Sequence, residues 1–321
     1  MAQPIIPVRA PDGQVVLSPA RTGSRWVDVV LFGLVGAVAY GLMRAATRLG
    51  TPLTVGARVD LSPIHLPLYA AYSTLRMTVA YAISLAFSLA YAKVAAASRQ
   101  AERLMLPVLD ILQSIPILSF MPGVVLGFVA LIPGRTVALE LAAVVLIFTS
   151  QAWNLAFSFH QSLMTIPGEL SEAATVYQLG PWRRFTRLEV PFGAISLIAN
   201  SMMSWAAAWF VLTASEQFLI GNKDFRLPGL GSYLQVAANA GDMRATILGL
   251  TTLVIVIVLL DQCFWRPLVA WSDRFKFEQS SAAETPTSIV VELLAGSALI
   301  EWTRRRVWGP IWRAMDRTFG T

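Results

Sequence analysis

Charge is scarce in this 321-residue chain: Asp, Glu, Lys and Arg make up 14% of it, against 55% hydrophobic residues. That balance excludes an ordinary soluble domain of this size and places the chain in a membrane. Lysine is nearly absent. None of Lys93, Lys223 and Lys276 follows a glycine, so the Gly-Lys-Ser/Thr of a phosphate-binding P-loop is missing and ATP is not bound by that route. The lone cysteine, Cys263, excludes an intrachain disulfide and, inside an apolar run, reads as a small buried hydrophobe. His65 and His160 lie far apart, so no His/Cys metal cluster is expected. No catalytic constellation emerges either: Asp110 and Asp261 sit near ends of apolar runs, where Arg103 and Arg266 are the ordinary partners. Before Trp26 there are prolines and arginines but no apolar core of signal-peptide length.

What the chain has is bilayer-length apolar runs. A hydrocarbon core of about 30 Å needs roughly 20 helical residues, and runs of that order occur at Trp26–Ala46, Leu68–Ala92, Leu106–Ile132, Val137–Phe159, Phe192–Ala214 and Ala245–Trp265. Helices satisfy their own backbone in lipid, so the fold class expected is all-α, a polytopic bundle of six transmembrane helices. Residues 1–25 read as a cytoplasmic tail, 26–270 as the membrane domain and 271–321 as a cytoplasmic linker with an amphipathic C-terminal segment. In that segment Trp308, Ile311, Trp312, Met315 and Phe319 share a helical face, as for a helix lying on lipid.

With the N-terminus inside, 17 Lys and Arg fall on the cytoplasmic side and seven on the other, the bias expected of cytoplasmic loops. The net charge of +6 is explained the same way, without nucleic acid. Within the third run, Pro116 and Pro122-Gly123 predict kinks or a break, which in a transporter can line a cavity. Leu227-Pro-Gly-Leu-Gly-Ser232 is loop chemistry, and residues 232–240 read as re-entrant or interfacial.

Between the fourth and fifth runs lies a polar island, residues 160–191. Pro167-Gly168 predicts a short helix with Glu169 and Glu172 in its first turn, at the positive dipole end. Ala173 and Ala174 give it a small-residue surface, Gly180 ends it, and Pro181 starts a second helix that Pro191 ends. Trp182 and Phe185 share a face of that second helix.

This island resembles that of the membrane permease subunits of bacterial ATP-binding-cassette importers, whose signature is Glu-Ala-Ala, a glycine six residues after the Glu and a Pro nineteen after it. Glu172, Ala173, Ala174 and Pro191 match, while the glycine position holds Gln178, with Gly180 two residues later. Ser73-Thr-Leu-Arg-Met77, Ala80-Tyr81, Ala101-Glu-Arg103 and Leu109-Asp-Ile-Leu-Gln-Ser-Ile-Pro116 are similar to the nitrate/sulfonate/taurine/bicarbonate branch, most of all to one half of its duplicated anion-type members. The resemblance, over roughly residues 66 to 276, implies a bacterial inner-membrane permease for a small anionic solute. It implies no cofactor in this chain. ATP and Mg would be bound by a cytoplasmic ATPase dimer that seats the island, with Glu169, Glu172, Ala173, Ala174, Tyr177, Gly180 and Pro191 as coupling residues. It further implies a second permease half, as homodimer or paired subunit, and a periplasmic or lipid-anchored solute-binding protein.

Along the pathway, Arg76 lies about two turns into the second run, and an intramembrane charge is costly and by default functional. It reads as an attractor for an oxyanion, as a snorkelling side chain, or as the partner of Glu140 near the same side. Glu216 reads as part of a gate or a salt bridge, and Pro116 as part of the cavity wall. The rival reading is a stand-alone anion channel or secondary transporter, favoured only by these intramembrane charges.

Overall fold

Proline decides where the third apolar run breaks. The computed structural model describes residues 59–220 and 223–272, with the strands Ile5–Arg9 and Val15–Pro19 and the single positions 43 and 47. In it helix α1 (Leu66–Ala95) is followed by α2 (Arg99–Ser114) and α3 (Ile117–Leu131), and the last two meet at 93°. Pro116 disfavours the helical region for the residue before it, and Ile115 is accordingly extended, with ψ 120°. Pro107 and Pro122 stay inside helices, so the expected break at Pro122-Gly123 is absent and the turn falls at Pro116 alone. The apolar run also begins later than its helix, whose start is set by Ser98, the N-cap accepting from the Ala101 N–H at 3.1 Å.

Next come α4 (Val137–Met164), the short α5 (Gly168–Val176) and α6, which runs unbroken over Pro181–Ser215 through a π turn at Phe185–Glu189. Pro191 therefore does not end a helix. It sits within α6 just after the π turn, where the widened turn accommodates the missing N–H. A hairpin, β1 (Gln217–Ile220) with β2 (Lys223–Arg226), leads to α7 (Leu230–Asn239) and α8 (Met243–Ser272), which has its own π turn at Asp261–Trp265.

Helices α1, α4, α6 and α8 are each long and apolar enough to span, and the bent α2–α3 pair would make a fifth. The expected run at Trp26–Ala46 lies outside the described residues, as does the C-terminal amphipathic segment. The described part is thus an all-α polytopic membrane fold, with two short hairpins as departures. One pairs Ile5–Arg9 with Val15–Pro19. The other, β1–β2, buries Phe218 opposite Phe225 in the core.

Small residues let the central helices close up. Ala80, Ser84, Ser88 and Ala92 recur every fourth residue of α1 and are all fully buried. Their seam meets α4, where the Ser84 and Ser88 hydroxyls donate to the carbonyls of Phe148 (3.3 Å) and Ala152 (2.8 Å), the small-residue packing that membrane helices favour. On the next face Tyr81, Trp205 and Trp265 stack edge to face at 5.5 to 5.8 Å. Each such pair adds about 0.5 to 1.5 kcal/mol beyond burial, and together they tie α1, α6 and α8. Helix α7, ten residues or about 15 Å long, cannot cross a bilayer. It folds back on α1, with the Tyr233 hydroxyl donating to the Leu61 carbonyl at 3.0 Å. Cys263 proves exposed on α8, not buried, because it faces away from the Trp265 side of the π turn.

Candidate functional site

At one end of the bundle, α1, α4 and α6 bring ionisable groups together. Arg76 of α1 is 5% exposed and Glu216, at the end of α6, is 0% exposed. The guanidinium forks onto Glu140 of α4, donating from Nε (2.5 Å) and Nη2 (2.8 Å), and its Nη1 donates to Glu216 at 2.8 Å. Nη2 also donates to the Pro228 carbonyl at 2.9 Å. Glu216 accepts in addition from the Ser73 hydroxyl (2.5 Å) and the Gly231 N–H (2.6 Å), while Ser73 accepts from the Leu230 N–H at 2.9 Å. Every charge is paired or hydrogen-bonded, the condition for keeping it out of water.

The Leu-Pro-Gly-Leu-Gly-Ser stretch is built for this contact. A Cβ at Gly229 would lie 2.2 Å from the Glu216 carboxyl, and one at Gly231 2.6 Å from the Thr213 backbone. Only glycine lets this backbone descend onto the carboxylate.

At the opposite end of α4 and α6 lies the polar island. Helix α5 has Glu169 in its first turn, while Glu172 falls one position beyond it and is exposed. The helix does not end at Gly180. The Leu179 N–H reaches back to the Ala174 carbonyl and the Gln178 N–H to that of Thr175, both at 3.0 Å, the paired closure of a Schellman motif. Its left-handed position is Gln178, with φ +50°. Gly180 instead caps the next helix, with Pro181 at its first turn. A non-glycine in that conformation is strained. Gln178→Gly should therefore raise stability by roughly 0.5 to 1 kcal/mol after glycine's own entropic cost, measurable as a higher midpoint of thermal unfolding in detergent.

Ala174 is buried, so its small size serves internal packing. The outward surface is Val176 and Tyr177, 78% and 79% exposed. Trp182 and Phe185 share a face, their ring centroids 6.1 Å apart. The island is tied to the bundle through Glu189, which is buried in the π turn. Its two carboxylate oxygens each accept from Lys93 Nζ of α1 at 2.6 Å, and Arg184, 3.5 Å away, donates in turn to the Ser171 hydroxyl of α5 at 2.7 Å. Lys93→Met would leave this buried carboxylate with only the longer Arg184 contact at 3.5 Å. We expect a loss of about 2 kcal/mol, below the usual cost of breaking a fully buried pair because Lys93 is part exposed, read by the same unfolding measurement.

The sequence-expected residues thus fall into two groups. Arg76, Glu140 and Glu216 meet in one network, and Glu169, Glu172, Ala173, Ala174, Tyr177 and Gly180 lie on one loop. Pro116 stands apart, at the elbow. Asp261 pairs with Arg266 at 3.1 Å as expected, but Asp110 accepts from Gln113 of its own helix at 2.7 Å and not from Arg103, since Gln113 lies three residues on along the same face. Sequence reasoning missed Ser73, Gly229, Gly231, Val176 and the Lys93–Glu189 tie. The closely spaced glycines of residues 227–232 were the available signal for the network, since close backbone approach is one of the uses of glycine.

A family model described as "Binding-protein-dependent transport system inner membrane component" matches residues 66–263. Among solved structures, one of the MetNI methionine ABC transporter in inward-facing conformations superposes with a TM-score of 0.47 and 17% identity, over 64% of this chain and 91% of that one. No curated protein matches.

Proposed function

We propose, from the premise that this chain belongs to the family of binding-protein-dependent transport system inner membrane components, that α5 and the first turns of α6 are the surface through which a separate ATPase drives it. As a member of that family the chain is a permease subunit of an importer, multi-pass in the inner membrane, with ATP hydrolysis in another subunit and solute delivered by a binding protein. The observation that carries the coupling reading is the exposed pair Val176 and Tyr177 at the tip of α5. A solvated loop gains nothing from two apolar side chains there, whereas an exposed aromatic is a typical binding anchor. The Lys and Arg bias supports a cytoplasmic place for this loop, and the sparse burial of α8 supports a second permease half or lipid beside it. With Tyr177→Cys in the assembled importer, an oxidative or bifunctional crosslink to the ATPase subunit is the expected result; a crosslink to the binding protein instead would overturn the assignment.

An anionic solute is the finer reading. It draws on the branch resemblance alone, because the guanidinium of Arg76 is engaged by two carboxylates and a carbonyl. The alternative of a stand-alone channel or carrier is favoured only by the intramembrane charges, and Arg76 is paired with both Glu140 and Glu216.

A further inference from the structure

A cavity of about 550 Å³ opens in the elbow between α2 and α3, against the middle of α4. Its volume suits a small organic molecule. Ile115, Phe120 and Trp153 contribute apolar and aromatic wall, and the polar lining consists of Gln113, Thr149, Ser150 and Asn154, with no charged side chain among the lining residues.

The donors of that polar lining are largely spent inside the protein. Thr149 and Ser150 donate their hydroxyl protons to the carbonyls of Leu146 (2.8 Å) and Ile147 (2.6 Å). The Asn154 amide donates to Ser204 Oγ (2.8 Å) and the Asn200 carbonyl (3.4 Å), and the Gln113 amide to Asp110 at 2.7 Å. From the side-chain inventory, what remains is the four oxygens of these side chains as acceptors, against two neutral N–H groups, the second of Gln113 and the indole of Trp153. Backbone polarity does not tip the balance. The carbonyl end of α2 and the N–H end of α3 meet at the elbow, so their opposite partial charges offset. The charge nearest to this lining by hydrogen bond is Asp110, which is negative.

We infer that this elbow cavity is a solute site of the permease, and that it takes a small, planar, neutral molecule bearing an amino N–H donor group, an amino-heterocycle in chemical class, and not an oxyanion. A sulfonate or nitrate would meet oxygen lone pairs where it needs donors, and desolvated acceptors facing an anion cost affinity. A flat amino-heterocycle lays its ring against Trp153 and Phe120 and gives the two N–H groups of an amino substituent to two of the acceptor oxygens of Thr149, Ser150 and Asn154. The inference rests on the permease reading above and replaces the anionic solute, which draws on the branch resemblance alone, with this solute class.

The test uses the full chain in lipid nanodiscs, with 4-aminopyrimidine and benzenesulfonate as aromatic probes of opposite character, and equilibrium dialysis as readout. 4-Aminopyrimidine should bind at least tenfold more tightly. Thr149→Val, which keeps the shape and removes the acceptor, should weaken it fivefold or more and leave benzenesulfonate unchanged; Ser150→Ala serves as the second variant should Thr149→Val fail to fold. Equal or tighter binding of benzenesulfonate, no binding of either probe, or indifference of 4-aminopyrimidine to both variants would overturn the inference. Crosslinking of the ATPase through Tyr177→Cys is read on the same preparations with that subunit added. If it persists while the probe preference reverses, the solute class alone is wrong and the permease reading stands.

Discussion

Arg76→Leu is expected to cost on the order of 3 to 5 kcal/mol of stability, the penalty of breaking a buried ion pair by removing one partner. Two carboxylates would be left facing each other, Glu216 fully buried and Glu140 a quarter exposed. Their only remaining donors would be Ser73 and the Gly231 N–H on Glu216. Arg76→Lys should recover little of this. A single ammonium cannot reproduce the fork that reaches Glu140 twice and still spans to Glu216 and the Pro228 carbonyl. Unfolding midpoint and yield of folded protein in detergent check both variants, and an Arg76→Lys variant as stable as the parent would sink the account. If the network is structural, as its completeness argues, Arg76→Met combined with Glu140→Gln and Glu216→Gln should fold better than Arg76→Leu alone, since neutral groups of similar size remove the stranded charge.

Tyr177→Asp is expected to lower affinity for the ATPase subunit by roughly thirtyfold or more, the loss of a hot-spot anchor of about 2 kcal/mol or greater. ATP-driven uptake should fall with it. Because Tyr177 is exposed, the variant should unfold within about 0.5 kcal/mol of the parent. Ala174→Leu makes the informative contrast, since overfilling a buried site costs about 1 to 3 kcal/mol of the chain's own stability. Loss of copurification by Ala174→Leu with full retention by Tyr177→Asp would reverse the roles assigned to the two residues.

How far the chain could be read from its letters follows from the range of each interaction. Helices α1, α4, α6 and α8 were legible because a long apolar run is a property of consecutive residues. The start of α5 at Gly168 and the break at Pro116 were legible because proline and glycine act on their immediate neighbours. The size of the bend, 93°, was not, nor was the continuation of the helix through Pro122, since both depend on packing against α4. The ion network is the opposite case. Arg76 lies 64 residues from Glu140 and 140 from Glu216, so the pairing with Glu140 was one alternative of several and that with Glu216 was unseen. On α5 the adjacent alanines invited a shared role, yet 100° of helical rotation per residue turns a buried Ala174 away from a part-exposed Ala173, and Tyr177 is exposed because it lies past the last helical residue, Val176. Gln178 shows a conformation enforced against preference: the turn that glycine would supply is kept, at a cost, because two backbone hydrogen bonds close it.

The π turn at Phe185–Glu189 gives α6 one surplus residue between the loop and the span. Were that residue drawn out, the two halves of the helix would screw past each other by about 100° and 1.5 Å. Asn200 and Ser204, which hold Asn154 across the α4–α6 seam, would swing off it together. Glu189, seated in the surplus turn and held by Lys93, would resist such a shift as a pawl resists a ratchet.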